Sequence, residues 1–173
     1  MSAIEDRRKK NKGYWIWCLF DVESNNFINN ITNEQLFKGP NFIPHLTICG
    51  PTTKENIIKN KNSLKSIFHS TNLVSLNIEK LKFSNDFYKA VYFEIENNNE
   101  ISNLNKLVSE TLEIKNYNFD PHISLYYGLI NKEIKDFVKS FINLNTQKIF
   151  LKNLAVFYVD EKNERWDLIE ILN

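Results

Sequence analysis

The sequence predicts an α+β domain built as two similar lobes. Three observations predict it. Strand-like and helix-like apolar patterns alternate along all 173 residues. Nearly the same phrase occurs twice, as N-F-I-P-H-L-T-I-C-G from Asn41 to Gly50 and as N-F-D-P-H-I-S-L-Y-Y-G from Asn118 to Gly128. No strand–glycine-loop–helix fingerprint marks a doubly wound dinucleotide fold. The two phrases lie about half the chain apart, and a helix and then a strand pair follow each. That is the pattern of an internal duplication.

The elements follow in order. Tyr14 to Phe20 is short, aromatic and apolar, which favours a buried strand. Thr32 to Lys38 reads as a short helix capped near Thr32 or Asn33 and stopped by Gly39-Pro40. His45 to Cys49 is strand-like. Pro51-Thr52-Thr53 breaks the chain, and Lys54 to Phe68 sets Ile57, Ile58, Leu64, Ile67 and Phe68 at helical spacing. Leu73 to Phe83 alternates through Leu76 and Ile78 and, after a phase shift, Leu81 and Phe83. Asn85-Asp86 turns the chain into a strand from Tyr88 to Ile95. Asn99 to Leu112 shows a helix face of Ile101, Leu104, Leu107, Val108 and Leu112. His122 to Tyr127 is a strand. Asn131 to Leu144 is a helix with Ile134, Phe137, Val138 and Phe141 inward. Lys148 to Val159 and Trp166 to Leu172 close the chain as a hairpin around Glu161-Lys162-Asn163.

Bulk properties narrow the function. A length of 173 residues suits one domain, 1–173, of two lobes, with residues 1–12 as a flexible basic tail around Arg7-Arg8-Lys9-Lys10. The formal net charge of +1 excludes a general polyanion binder, so any nucleotide site must come from local charge. Cys18 and Cys49 have no metal or redox spacing and sit in apolar runs, as buried reduced thiols do. No stretch is long and apolar enough to span a membrane, and no signal-peptide core opens the chain. A cytoplasmic protein without membrane partner, metal or cofactor is expected.

The repeated phrase carries the chemistry. Residues i and i+2 of a strand share a face. His45 and Thr47 therefore share one face, and His122 and Ser124 another, while aliphatic neighbours face the core. A lone strand histidine is usually structural. Recurrence in register is different, because a structural duplication has little reason to keep both an imidazole and a hydroxyl on the face away from the core. Two lobes facing each other would bring two histidines and two hydroxyls to one volume. That set suits displacement at a phosphodiester. One imidazole takes a proton from the attacking oxygen and the other gives one to the leaving oxygen. The hydroxyls steady charge on the non-bridging oxygens. His69, at a helix end, lacks such a context.

With these motifs the chain resembles the 2H phosphoesterase superfamily, and within it the cyclic phosphodiesterase branch of plants and yeast. The resemblance runs through Tyr14-x-x-Trp17, Gly39-Pro-x-Phe-x-Pro-His-x-Thr47, Pro121-His-x-Ser-Leu-x-Tyr127, Leu154-Ala155 and a closing strand at Trp166. It implies a bilobal fold of two antiparallel sheets, related by a pseudo-two-fold axis, with outer helices and a central cleft. It implies metal-independent opening of a cyclic phosphate, with ADP-ribose 1″,2″-cyclic phosphate and nucleoside 2′,3′-cyclic phosphates as the family's substrates. His45 and His122 would be the acid–base pair, and Thr47, Ser124 and Tyr127 the phosphate contacts. Trp17 and Tyr88 would stack the substrate, Tyr88 standing where a phenylalanine is expected. Simple alternation puts Tyr126 rather than Tyr127 on the His122 face, so Tyr127 requires the strand to end or bulge after Leu125. Lys82 and Lys89 would add positive potential. Which histidine is base is open. Two alternatives stand beside this reading: an enzyme acting on RNA ends, 2′,5′-oligonucleotides or cyclic signalling nucleotides, and a non-catalytic nucleotide-binding module. A cleft completed within one chain implies a monomer.

Overall fold

A computed structural model describes residues 11–32, 42–71, 75–141 and 148–172. Among these residues, seven strands and four α-helices run in the order β1 (Lys12–Phe20), α1 (Val22–Thr32), β2 (His45–Thr52), α2 (Lys54–Ser70), β3 (Ser75–Phe83), β4 (Val91–Ile95), α3 (Asn99–Thr111), β5 (His122–Tyr126), α4 (Lys132–Phe141), β6 (Lys148–Asp160) and β7 (Arg165–Leu172). Short 3-10 turns occupy Phe87–Lys89 and Glu161–Asn163. Every strand pairing is antiparallel.

The sheet path is β2-β1-β6-β3-β4-β5, with β7 added on β6. The long strand β6 joins the lobes. Its first residues, Lys148 to Phe150, pair with β3, and Leu154 to Asp160 pair with β7. Its other edge carries β1. The two expected sheets are thus one path hinged on β6, and the motif strands β2 and β5 stand at its two ends. They nevertheless approach each other, so the path curls until its ends meet across a cleft.

Alternation decides what faces the cleft. On β1, Ile16, Cys18 and Phe20 enter the main core beneath the helices, and Trp15, Trp17 and Leu19 point the other way, with Phe157, Val159 and Trp166. Asp21, Thr53, Asn98 and Asn131 each accept the backbone N–H three residues on, which caps the four helices in turn. Cys18 and Cys49 are buried and unbridged.

The elements differ from expectation at a few places. α1 was not anticipated. Its sequence is asparagine-rich, but Ser24, Ile28 and Ile31 make a buried stripe and Asp21 supplies the cap. The helix expected over Thr32–Lys38 lies, beyond Thr32, outside the described residues, as do residues 1–10 of the expected tail and the end of the helix expected to reach Leu144. Asn11 and Lys12 do not belong to a tail: Lys12 opens β1 and pairs with Asp160 at 3.3 Å. Ile58 is exposed rather than inward. The strand expected from Tyr88 begins only at Val91, because the Asp86 carboxylate accepts the Tyr88 N–H and winds Phe87–Lys89 into a 3-10 turn. The phase shift along β3 is a register slip against β4 between Ile78 and Lys80. No helix among the described residues is long and apolar enough to cross a membrane.

Candidate active site

The duplication extends into the backbone. On β2 the register against β1 skips Ile48, between Thr47 and Cys49. On β5 the register against β4 skips Leu125, between Ser124 and Tyr126. Each motif strand therefore carries a bulge one residue after its hydroxyl residue. A bulge turns two successive side chains to one face. Ile48 and Cys49 both enter the core, and so do Leu125 and Tyr126. Asn105 of α3 donates to the Ile48 carbonyl at 2.7 Å, which gives the bulged peptide a partner. Each copy of the phrase then ends on a glycine at positive φ, Gly50 at +154° within β2 and Gly128 at +151° just past β5. A Cβ on Gly50 would lie 2.5 Å from the Trp15 ring, and one on Gly128 2.5 Å from the Tyr126 hydroxyl.

The two histidines are held alike. His45 Nδ1 donates to the Ile43 carbonyl at 2.6 Å, and His122 Nδ1 to the Asp120 carbonyl at 2.7 Å. A neutral imidazole that donates through Nδ1 carries its lone pair on Nε2. Both rings line one cavity of about 350 Å³, together with Thr47 and Ser124. Their surroundings differ. The His45 ring stacks on Trp17, centroids 3.4 Å apart and planes 5° apart, while His122 meets Tyr92 edge-on and lies near Lys89. Burial pushes the His45 pKa down to about 3, and the neighbouring His122 adds to the depression. Burial also pushes His122 down to about 4, with repulsion from Lys89 as the second cause. Both rings are therefore neutral near pH 7.

The hydroxyls are not equivalent. Thr47 is half-buried, and its hydroxyl has no protein partner among the described residues. Ser124 is buried and donates to the Tyr88 carbonyl at 3.0 Å. Tyr127, past the end of β5, lines the cavity, whereas Tyr126 belongs to the core. The Leu125 bulge is what reverses the simple alternation. Burial pushes the Tyr127 hydroxyl above its ordinary range, opposed by hydrogen bonding to Ser124, so it keeps its proton near neutral pH. The Tyr88 hydroxyl donates to the Glu161 carbonyl at 2.8 Å, and its ring stands edge-on to Tyr127 and Trp166.

Trp17 offers no face to a substrate. His45 covers one side and Phe157, at 4.1 Å, the other, and the indole is 3% exposed. Its place in the site is to clamp the His45 ring. Among the described residues, Lys89 is the one lysine or arginine lining this cavity. It is ion-paired with Asp120, and its Nζ lies 4.2 Å from the Tyr92 ring centroid. Burial alone would raise the Asp120 carboxyl, but the bond to Lys89 and the charge of Lys89 hold it below the usual carboxylate range. Lys82 pairs with Glu94 and does not line the cavity. Among the described residues no group of three or more His, Cys, Asp or Glu is arranged to hold a metal ion.

Two histidine–hydroxyl pairs on the end strands of one curled sheet are what a 2H phosphoesterase needs. The sequence model of the cyclic phosphodiesterase-like protein family matches residues 11–170 of the chain. The chain belongs to this family of 2H phosphoesterases. A curated relative from Staphylococcus saprophyticus, named "Putative phosphoesterase SSP1770", is 22% identical over 136 residues, covering 76% of this chain and 80% of its own. Solved structures share the fold. The Escherichia coli LigT complex with 3'-AMP aligns with TM-score 0.61 at 11% identity, over 92% of this chain and 96% of that one. A structure described as a phosphoesterase aligns with TM-score 0.63 at 11% identity, over 93% and 97%. The protein is accordingly a phosphoesterase, a hydrolase of phosphate esters.

Of the residues expected at the site, His45, Thr47, His122, Ser124, Tyr127, Trp17 and Tyr88 all line the one cavity. Trp166 was read only as a closing strand, yet it forms part of the cavity wall. Trp15, Tyr117 and Asn118 also line it unannounced. A signal existed for Asn118, which opens the second copy of the phrase. None existed for Trp15 or Tyr117, which nothing in the chain distinguishes from core aromatics.

Proposed function

We propose that the enzyme hydrolyses a cyclic phosphodiester of a nucleotide to a phosphomonoester by two-histidine acid–base catalysis, without metal. The observation that carries the proposal is the matched tautomer. Both imidazoles commit Nδ1 to a carbonyl two residues upstream, which leaves two Nε2 atoms for one cavity. One neutral Nε2 accepts a proton from water as its oxygen attacks phosphorus. The other, protonated, gives its proton to the ring oxygen as the P–O bond breaks. Thr47 and Tyr127 donate to the non-bridging oxygens, and Ser124 does so once its hydroxyl turns from the Tyr88 carbonyl. A cyclic diester suits this site because its leaving oxygen stays tethered to the product, so the cavity need release only one molecule. LigT, the structural neighbour, is captured with 3'-AMP, a nucleotide of the size such a product would have.

The test is turnover of nucleoside 2′,3′-cyclic phosphates and of ADP-ribose 1″,2″-cyclic phosphate in EDTA, followed by phosphorus NMR. Opening of at least one of them, lost in both His45→Ala and His122→Ala, is the expected result. Activity abolished by EDTA in the wild type would overturn the metal-free mechanism, and no turnover of any cyclic phosphate would overturn the reaction.

A further inference from the structure

The 3-10 turn between β3 and β4, Phe87–Lys89, frames one half of the site. Each of its residues holds a different part of β5 or its flanks. The Phe87 carbonyl accepts the Gly128 N–H at 2.9 Å, the Tyr88 carbonyl accepts the Ser124 hydroxyl at 3.0 Å, and the Lys89 ammonium is ion-paired with the Asp120 carboxylate. Asp120 in turn offers the carbonyl that orients His122. Where this turn sits, the His122 half-site sits with it.

The same turn is bonded to the other lobe. The Tyr88 hydroxyl donates to the Glu161 carbonyl at 2.8 Å, across 73 positions of sequence. Glu161 is buried, and it is fixed on its own side. Its N–H donates to the Asn11 carbonyl at 3.1 Å, and its carboxylate accepts the Asn11 main-chain N–H at 3.0 Å and the side-chain amide at 3.1 Å. Asn11 leads directly into β1, which pairs with β2 and stacks Trp17 on His45. Tyr88 and Glu161 both line the cavity. One hydroxyl thus joins the frame of His122 to the frame of His45 at the cavity wall, while a shared core joins the lobes behind it. A phenylalanine, the residue expected at 88, would keep the ring and the carbonyl and lose this bond.

Resting on the proposed two-histidine reaction, we infer that Tyr88 is a positioning residue whose hydroxyl sets the spacing of the two imidazoles. In-line displacement needs both Nε2 atoms in place at once, one at the attacking oxygen and one at the leaving oxygen. Each half-site is braced within itself, so the separation of the halves is what the fold must still fix. A misplacement of about 1 Å costs about 10²-fold in rate.

The test compares Tyr88→Phe, 4-aminophenylalanine placed at position 88 to restore a donor, and Thr71→Val. The last removes the Thr71 hydroxyl bond to the Ile67 carbonyl at the end of α2, outside the cavity lining. Tyr88→Phe should lower kcat about tenfold and leave KM within about threefold, because placement and not affinity is lost. The amino analogue should recover most of kcat, and Thr71→Val should keep it within about twofold. In a His45→Ala background, Tyr88→Phe should cost less than about twofold, since a single imidazole has no spacing to keep. Amide hydrogen exchange needs no substrate. The Gly128 and Glu161 N–H groups, one in each frame, should exchange faster together in Tyr88→Phe and as in the wild type in Thr71→Val. A wild-type kcat in Tyr88→Phe, the same loss with and without His45, or unchanged exchange at either amide would each overturn the positioning role. A wild type that opens no cyclic phosphate removes the proposed reaction, and the same kcat comparison on bis(4-nitrophenyl) phosphate, together with the exchange, then decides Tyr88 separately.

Discussion

At the scale of single residues, the site is a near-copy of itself whose two halves differ in their neighbours. His45 and His122 use the same backbone contact, but Thr47 and Ser124 do not share an environment. Thr47 has its hydroxyl hydrogen to give, and Ser124 already gives its own to the Tyr88 carbonyl. Removing the two hydroxyls should therefore have different consequences. Thr47→Val should cut kcat by about 10²-fold, as loss of a donor to a developing oxyanion does, and leave the melting temperature nearly unchanged. Ser124→Ala should also cost about 1–3 kcal/mol of stability, because the Tyr88 carbonyl loses its partner in a buried setting. Parallel melts and single-turnover rates for the two variants decide this. Equal destabilisation by both would sink the distinction. A similar prediction holds for the histidines: substituting either one by alanine should cost about 10²–10⁴-fold in kcat/KM, the range of a general acid or base.

At the scale of elements, the bulges aim the chemistry. Without the skip at Leu125, Tyr126 would face the cavity and Tyr127 the core; the skip exchanges them. This is where the sequence was least legible. The repeated phrase announced both strands, the pairing of imidazole with hydroxyl, and the terminal glycines. A bulge, however, is set by which partner strand lies alongside, and no local pattern encodes that. α1 was missed for the opposite reason. Its 24, 28, 31 stripe was present in the residues, but asparagine is a weak helix former, and tertiary packing supplies what propensity withholds. The bulge on β2 has a support that can be removed. Asn105 lies on α3, bonds the Ile48 carbonyl, and does not line the cavity. Asn105→Leu should destabilise the fold by about 1–3 kcal/mol through the orphaned carbonyl. It should also lower kcat, because Thr47 is the next residue along the strand. A variant with a lowered melting temperature and a wild-type kcat would show that the bulge holds its shape without Asn105.

At the scale of the whole molecule, the curled sheet gathers charges from distant parts of the chain. Asp86, Lys89, Asp120 and Glu161 share a cavity although no stretch of sequence contains them all, which is why a net charge of +1 said nothing about the cleft. The same gathering holds two imidazoles in their neutral form, with opposite consequences for folding and for catalysis. For folding, the native pKa values of about 3 and about 4 lie below the ordinary histidine value of about 6.5. Between those limits the unfolded chain binds more protons than the native one, so the stability these groups contribute is present above pH 6.5 and is lost as pH falls toward 4. For catalysis, one histidine must carry a proton, and kcat/KM reports the free enzyme. Above the native pKa values the singly protonated fraction falls tenfold per pH unit, so log kcat/KM should decline with slope near −1 from about pH 5 to pH 8. Once the anionic phosphate lies between the rings it favours the protonated form, which moves the bell of kcat to higher pH than that of kcat/KM. The working range is thus closed on the acid side by unfolding and on the alkaline side by loss of the acid. Steady-state profiles and thermal melts over the same pH series test both limits together. A kcat/KM still rising from pH 7 to pH 9, in a protein whose melting temperature is flat from pH 7 to pH 4.5, would show that neither imidazole is held neutral by burial and that the acid–base pair lies elsewhere.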